Sequence, residues 1–246
     1  MRISNQRKKS NKRRRRITRR YKQRHSGGNP HITVYPPDKI KAYIHHVVYV
    51  NLDSRTDRRE QLEKELKVFN KEQIHRVPGI LPDVQDVAHK NIALAKAHLN
   101  AVKLAIDNKW ENTLFLEDDA VWANIEKAYP IFEKLVQQPY DAIMLGSHVG
   151  NYDKETYRAH SGTNGASYLL HKSHYNIYFE RLQAMINNFK PGITKHEEVQ
   201  ADAAVFGPLQ KEYKWYMVVP PLMIQLPGHS NRLDTFSNAR QYDTNG

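Results

Sequence analysis

Hydrophobic positions along the chain switch repeatedly between the two-residue spacing of strands and the 3.6-residue spacing of helices. Residues 46–52, HVVYVNL, are β-branched and apolar, and the segment after them turns helical, with Leu62, Leu66 and Phe69 on one face. This predicts a strand entering a helix. A short strand is expected over 73–77, stopped by Pro78 and Gly79. Asn91 is the expected cap of a long helix in which Ile92, Ala95, Leu99, Val102 and Ile106 form an apolar stripe that ends near Asn108. LFLEDDA, residues 114–120, follows as a buried strand, then a helix over 124–137 and a buried strand over 141–145, DAIML. Residues 161–165, SGTNG, read as a flexible loop and 168–188 as a strand with a helix. A further helix is expected over 199–210, and a strand over 213–219 ended by Pro220 and Pro221.

Strands and helices alternating in this order predict an α/β fold, a Rossmann-like, mainly parallel sheet with helices on both faces. In such sheets ligands collect at the carboxyl ends of the strands, which is where NLDSRTDRR and EDD fall.

Charge alters this picture at one end only. The chain has 246 residues and a formal charge of +12, but residues 1–37 hold 13 Lys and Arg and no acid, leaving 25 basic against 26 acidic residues beyond them. The expected division is a disordered polybasic tail over 1–40, a folded domain over 41–234 and a C-terminal tail over 235–246. The basic tail suits an anionic partner, nucleic acid or a membrane surface, and is equally readable as a solvated arm. A protein whose basic arm does the work on a scaffold is the rival reading, but it leaves the EDD strand unexplained. No secretory core segment and no run of some 18 apolar residues occurs, so the expectation is a cytoplasmic chain with no transmembrane segment. The absence of cysteine excludes disulfides, thiol nucleophiles and cysteine-based zinc sites.

Candidate chemistry sits at the strand ends. Glu117, Asp118 and Asp119 are three adjacent acids beside an apolar strand, an arrangement in which each raises the pKa of the others unless a cation compensates. Hard oxygen ligands of this kind suit Mg²⁺ or Mn²⁺. The plain alternative is a strand end whose acids face water. Arg55 with Arg58 or Arg59 can share a face of a first helical turn and offer guanidinium forks to a diphosphate, or pair with Asp57. His98 reads as a core histidine, and Trp110, Trp122 and Trp215 as core residues or sugar-stacking platforms.

Several pieces in consistent order resemble glycosyltransferase family 25, which includes lipopolysaccharide sugar transferases and collagen galactosyltransferases. They are VYVNLDSRTDRREQLEKEL, NIALAKAHLNAVKLAI with LFLEDDA, YDAIMLG, GTNGASYLLHKSHY, QADAAVF and PPLMIQLPGHS, spanning residues 45–232. Where members often have Gly-Cys and Ser-His in the helix before the acidic strand, this chain has Ala93-Leu94 and Ala97-His98. That change touches helix packing, and it also permits a degenerate transferase that binds without turnover.

The resemblance implies a GT-A type fold, a UDP-sugar donor carrying galactose or glucose, a Mn²⁺ or Mg²⁺ cofactor, a glycan or protein acceptor, and inversion at the anomeric carbon. It further implies a metal held by Asp119 with Asp118, Glu117 and His229. Donor contacts would come from Asn51, Leu52, Asp53, Arg55, Arg58, Glu117, Asp118, Asn164 and Gly165. Asp202 would be the catalytic base, with Glu198, one turn earlier on the same face, as the alternative.

Overall fold

The computed structural model describes residues 35–148, 150–230 and 235–237, so residues 1–34 of the expected basic tail and most of the C-terminal tail lie outside the described residues. The strands are β1 (His46–Asn51), β2 (Ile74–Pro78), β3 (Asn112–Glu117), β4 (Ala120–Trp122), β5 (Ala142–His148), β6 (Thr163–His171), β7 (Trp215–Met217), β8 (Met223–Gln225), β9 (Gly228–Ser230) and β10 (Thr235–Ser237). The α-helices are α1 (Thr56–Glu65), α2 (Val87–Asp107), α3 (Ile125–Val136), α4 (Tyr175–Asn187) and α5 (Gly207–Glu212).

Six strands form the central sheet in the order β2-β1-β3-β6-β5-β7. β1 runs parallel to β2 and β3, and β5 to β7, while β6 alone is reversed between β3 and β5. The expected fold class is borne out: a mainly parallel sheet flanked by helices. Side chains alternate strictly between its faces. Val47, Tyr49, Leu114, Leu116, Ile143 and Leu145 pack with Leu62 of α1 and Phe132 of α3. Val48, Val50, Phe115, Met144 and Tyr168 pack on the other face with Val102 of α2, Tyr178 of α4 and Leu209 of α5. Both faces are buried, which is why these strands read as unbroken apolar runs. Ile40, inside the stretch assigned to the tail, is fully buried in the first of these layers.

Three expectations need correction. The long helix starts at Val87, because Asp86 accepts the His89 amide N–H at 2.8 Å and satisfies an otherwise unpaired donor of the first turn. Asn91 lies inside it, buried, donating to the His196 carbonyl at 3.0 Å. The SGTNG segment is mostly strand, since pairing with β3 on one side and β5 on the other draws Thr163 onward into β6. Third, the expected 199–210 helix is broken. Val199 closes a separate 3-10 turn (His196–Val199), Gln200 is extended, and a π-type turn (Asp202–Phe206) then runs into α5. Pro208 has no N–H to donate and its ring crowds the carbonyl four residues earlier, which accounts for the widened turn ahead of it.

A small two-stranded sheet completes the region beside the acids. β4 pairs antiparallel with β8, setting Ala120 opposite Gln225. Gly146 makes this possible, since a Cβ there would stand 2.6 Å from the Met223 carbonyl oxygen and 2.4 Å from Ser167 Oγ. No helix among the described residues is long and apolar enough to cross a membrane.

Candidate functional site

β1 and β3 are parallel neighbours with Val50 opposite Glu117, so Asn51 and the three acids leave the sheet side by side. Arg58, in the first turn of α1, reaches across to them. Its Nη1 donates to Asp118 Oδ1 at 2.8 Å and to Asp119 Oδ2 at 3.1 Å. Asn51 Nδ2 donates to the other Asp118 oxygen at 2.8 Å and to the Arg55 carbonyl at 3.0 Å. Gln225 Nε2 bridges Glu117 Oε2 at 3.2 Å and Asp119 Oδ1 at 3.1 Å.

The side chains of Asp118 and Asp119 are 11% and 13% exposed, which rules out acids that simply face open water. Burial pushes the Asp119 carboxyl above the usual range, Arg58 pulls it back, and Asp118 adds to the rise. Burial alone would lower the Arg58 guanidinium, but Asp119, Asp118 and Glu117 outweigh it and hold Arg58 above its ordinary value.

The remaining early residues divide. Arg55 donates through its guanidinium to Asp57, at 2.9 and 3.1 Å, whereas Arg58 donates to Asp118 and Asp119. Arg59 is half-exposed and stands 3.9 Å from Glu63. Asp53 pairs with Arg76, whose guanidinium also donates to the side-chain and main-chain oxygens of Asn51 at 3.1 and 3.0 Å. Leu52 contributes its carbonyl to the Arg55 amide at 2.9 Å. This Asn51–Arg76 contact braces the end of β1 on the side away from Asp118.

A second group stands at the same end of the sheet. Because β6 runs against β3, its first residues lie near the carboxyl end of β3. Asn164 adopts a positive φ of 84° and its amide N–H donates to Asp202 Oδ2 at 3.1 Å. The Asn164 side chain accepts the Ala166 N–H at 3.1 Å, a local bond that supports this unusual backbone. A Cβ on Gly165 would sit 3.6 Å from Phe206, an ordinary contact, so packing does not demand glycine there. Glu198 is exposed and accepts the Lys195 N–H at 2.9 Å, closing its own 3-10 turn rather than sharing a helix face with Asp202.

Sequence reasoning did not single out two features. Gln225 is aimed at the acids only through the β4–β8 register, which no local pattern signals. The other is a buried polar line. His98 Nδ1 lies 3.0 Å from the Tyr168 hydroxyl, which lies 3.1 Å from that of Tyr178. His98 Nε2 stands 3.9 Å from Glu117 Oε1. Burial pulls His98 down to about 4, so it is neutral. The Tyr178 phenol is raised mainly by burial, and both Asp202 and Glu117 add to that rise, so the two carboxylate groups act on one buried hydroxyl. Trp215 and Trp122 are core residues; Trp110 stacks on His46.

Among the described residues no three His, Asp or Glu side chains form a group set to hold a metal ion. The side chain of His229 lies outside the described residues; its backbone belongs to β9.

No protein-family model matches the chain, and no curated protein matches it. Among solved structures it is similar to a glycosyltransferase involved in glycosylation of the major capsid of PBCV-1, at 12% identity over 77% of this chain and 95% of that one, TM-score 0.46. It is also similar to mannose-1-phosphate geranyltransferase from Thermus thermophilus, at 12% identity over 70% and 72%, TM-score 0.38. A protein from STIV matches at 14% identity over 73% and 83%, TM-score 0.33. Likeness this loose says nothing about activity.

Proposed function

We propose that the protein is an inverting, metal-dependent glycosyltransferase of GT-A type that moves a sugar, galactose or glucose, from a UDP-sugar to a hydroxyl of a glycan or protein acceptor. The observation that carries this reading is the convergence of Asp118 and Asp119 on Arg58, with Glu117 tied in through Gln225, at the carboxyl ends of β1 and β3. Among the described residues three carboxylates meet the Arg58 guanidinium there, an excess of acid over base that a divalent cation would offset. Carboxylate oxygens are hard ligands that suit Mn²⁺ or Mg²⁺, although among the described residues the three acids are not grouped to hold an ion as they stand, so binding one would require them to turn from Arg58 and Gln225. Asp119, Asp118 and Glu117 would hold the ion, with His229 as a further ligand. When bound, it would neutralise charge on the diphosphate leaving group.

The chain's own residues supply the rest. Arg58 adds a fixed positive charge beside the diphosphate, and the amides opening α1 offer donors to it. Asn51, Leu52, Asp53 and Arg55 line the same approach, and Asn164 with Gly165 bring backbone close to the sugar. As the acceptor oxygen bonds to the anomeric carbon and the bond to the diphosphate breaks, Asp202 takes the acceptor proton. The Asn164 N–H on Oδ2 fixes the orientation of that carboxylate.

The test is a panel of UDP-sugars with Mn²⁺, read by donor binding and transfer. Asp119→Asn should lose Mn²⁺-dependent donor binding while staying folded, because it removes a charge that burial disfavours. Asp202→Asn should cut turnover by about 10²–10⁴ with donor binding retained. An Asp119→Asn variant that binds every UDP-sugar as tightly as the parent overturns the assignment.

A second reading follows from Arg58 already spanning both aspartates. In it the guanidinium alone serves the diphosphate, with or without turnover, and donor binding is indifferent to EDTA.

A further inference from the structure

Gln210, in α5, is fully buried, and both polar atoms of its side chain are engaged at the approach to β6. Its Oε1 accepts the Gly162 N–H at 2.7 Å, and its Nε2 donates to the Gly162 carbonyl, also at 2.7 Å, and to Met144 Sδ at 3.6 Å. One side-chain amide thus takes both main-chain groups of a single residue, as a neighbouring strand would. Gly162 stands immediately before β6, whose pairing with β5 begins at Thr163, so the glutamine extends the support of that strand by one residue.

What the same two segments hold between them gives this clamp its interest. Two residues after Gly162, the Asn164 N–H donates to Asp202 Oδ2 at 3.1 Å. Asp202 opens the π-type turn (Asp202–Phe206) that runs directly into α5 and so to Gln210. The approach to β6 and the helical segment are therefore joined twice, at Gly162–Gln210 and at Asn164–Asp202, with the widened turn between the joints. The inner joint is wholly covered, whereas Asp202 is half-buried, and a covered hydrogen bond is the harder of the two to exchange for water. Asn164 holds a φ of 84°, a backbone that a non-glycine residue keeps only where its surroundings enforce it.

We infer that Gln210 is a positioning residue for Asp202: by pinning Gly162 it holds Asn164 in the backbone conformation from which the Asn164 N–H orients the Asp202 carboxylate. The consequence for turnover rests on the reading of Asp202 as the base; the positioning itself does not.

The test compares the full chain with Gln210→Met, which keeps the volume and removes both main-chain bonds, and with Gln210→Glu, which keeps an acceptor for the Gly162 N–H. Amide exchange is read by NMR without any ligand. The Gly162 and Asn164 amides should exchange about tenfold faster in Gln210→Met, with the central amides of β1 and β3 unchanged, and Gln210→Glu should fall between. With UDP-galactose or UDP-glucose and Mn²⁺, kcat should drop about tenfold in Gln210→Met at unchanged donor KM, because a misaimed base slows the step without loosening the donor. Asn164 exchange at the parent rate overturns the inference. Acceleration of every amide alike overturns it too, since Gln210 then only adds stability, and so does an unchanged kcat in Gln210→Met where Asp202→Asn lowers turnover. If Asp202→Asn itself leaves turnover intact, it is the reading of Asp202 as the base that fails, and amide exchange alone decides whether Gln210 positions that carboxylate. Should Gln210→Met not fold, the same readouts on Gln210→Glu decide.

Discussion

The two ends of the central sheet handle polar residues in opposite ways. At the carboxyl end, Glu117, Asp118 and Asp119 meet Arg58, Asn51 and Gln225, partners drawn from positions roughly 60 to 110 residues away in the chain. At the other end the buried polar groups are neutral rings, and the charged ones, such as Lys172 with Glu111, pair at the exposed surface. His46 and His75 stack on Trp110 with ring centroids 4.0 and 4.3 Å away, their nitrogens 3.2 Å apart, and burial lowers the pKa of both. The same fold thus covers its charges where strands hand over to helix N-termini and leaves those of the opposite end at the surface. Covered charge is tolerated only with compensation, which is what the dense web of partners around the acids supplies.

Removing the compensation should have the largest effect. Arg58→Ala leaves Asp118 and Asp119 covered without their cation and should cost about 3–5 kcal/mol in denaturant unfolding. If the acids also take a divalent ion, Mn²⁺ should restore part of that loss, whereas in the parent its effect is smaller. A variant as stable as the parent would remove the distinction between the two ends.

Acid should act next, and through the neutral histidines. His98 and His174 are each pulled down to about 4 by burial, against 6.5 for a free histidine, and His174 Nε2 must stay unprotonated to accept the Trp215 indole N–H at 3.0 Å. Between these values the unfolded chain binds more protons than the folded one. Stability is therefore full above pH 6.5 and falls as pH drops toward 4, by an amount on the order of 3 kcal/mol per histidine. His174→Gln should flatten part of the measured slope, and an unchanged slope would refute the assignment.

Packing around the acids gives a smaller effect. Gly146→Ala forces a methyl against Met223 and Ser167 and should cost about 1–3 kcal/mol, while shifting β8 and so the reach of Gln225. Arg59→Ala, next to Arg58 but half-exposed and 3.9 Å from Glu63, should change stability by no more than about 0.5 kcal/mol. The contrast between two adjacent arginines isolates what contact with the acids contributes.

The strand and helix order was legible because each buried strand announces itself as an apolar run, and the site's location followed from where those runs end. Asn51, Arg58 and the three acids do come together, as do Asn164 and Asp202. What local patterns could not supply was set by distant contacts. Arg55 and Arg58 look equivalent in sequence, yet Asp57 captures one and Asp118 the other. Glu198 and Asp202 share a helical spacing that the extended Gln200 breaks. Gln225 carries no signal until β8 finds β4, and the widened turn at Asp202 depends on a proline six residues further on.

The reversed strand β6 also has a consequence for how the molecule is made. Synthesis from the N-terminus delivers β1, β2 and β3 well before residues 163–171 emerge, and until then β3 has a bare edge on the side where β6 will pair. A nascent or truncated chain that stops short of that point presents an apolar, half-paired ribbon, the form most prone to stick to copies of itself. Asn164, Asp202 and Gln225, which complete the polar groups at the carboxyl end of β3, arrive only with or after the strand that seals this gap.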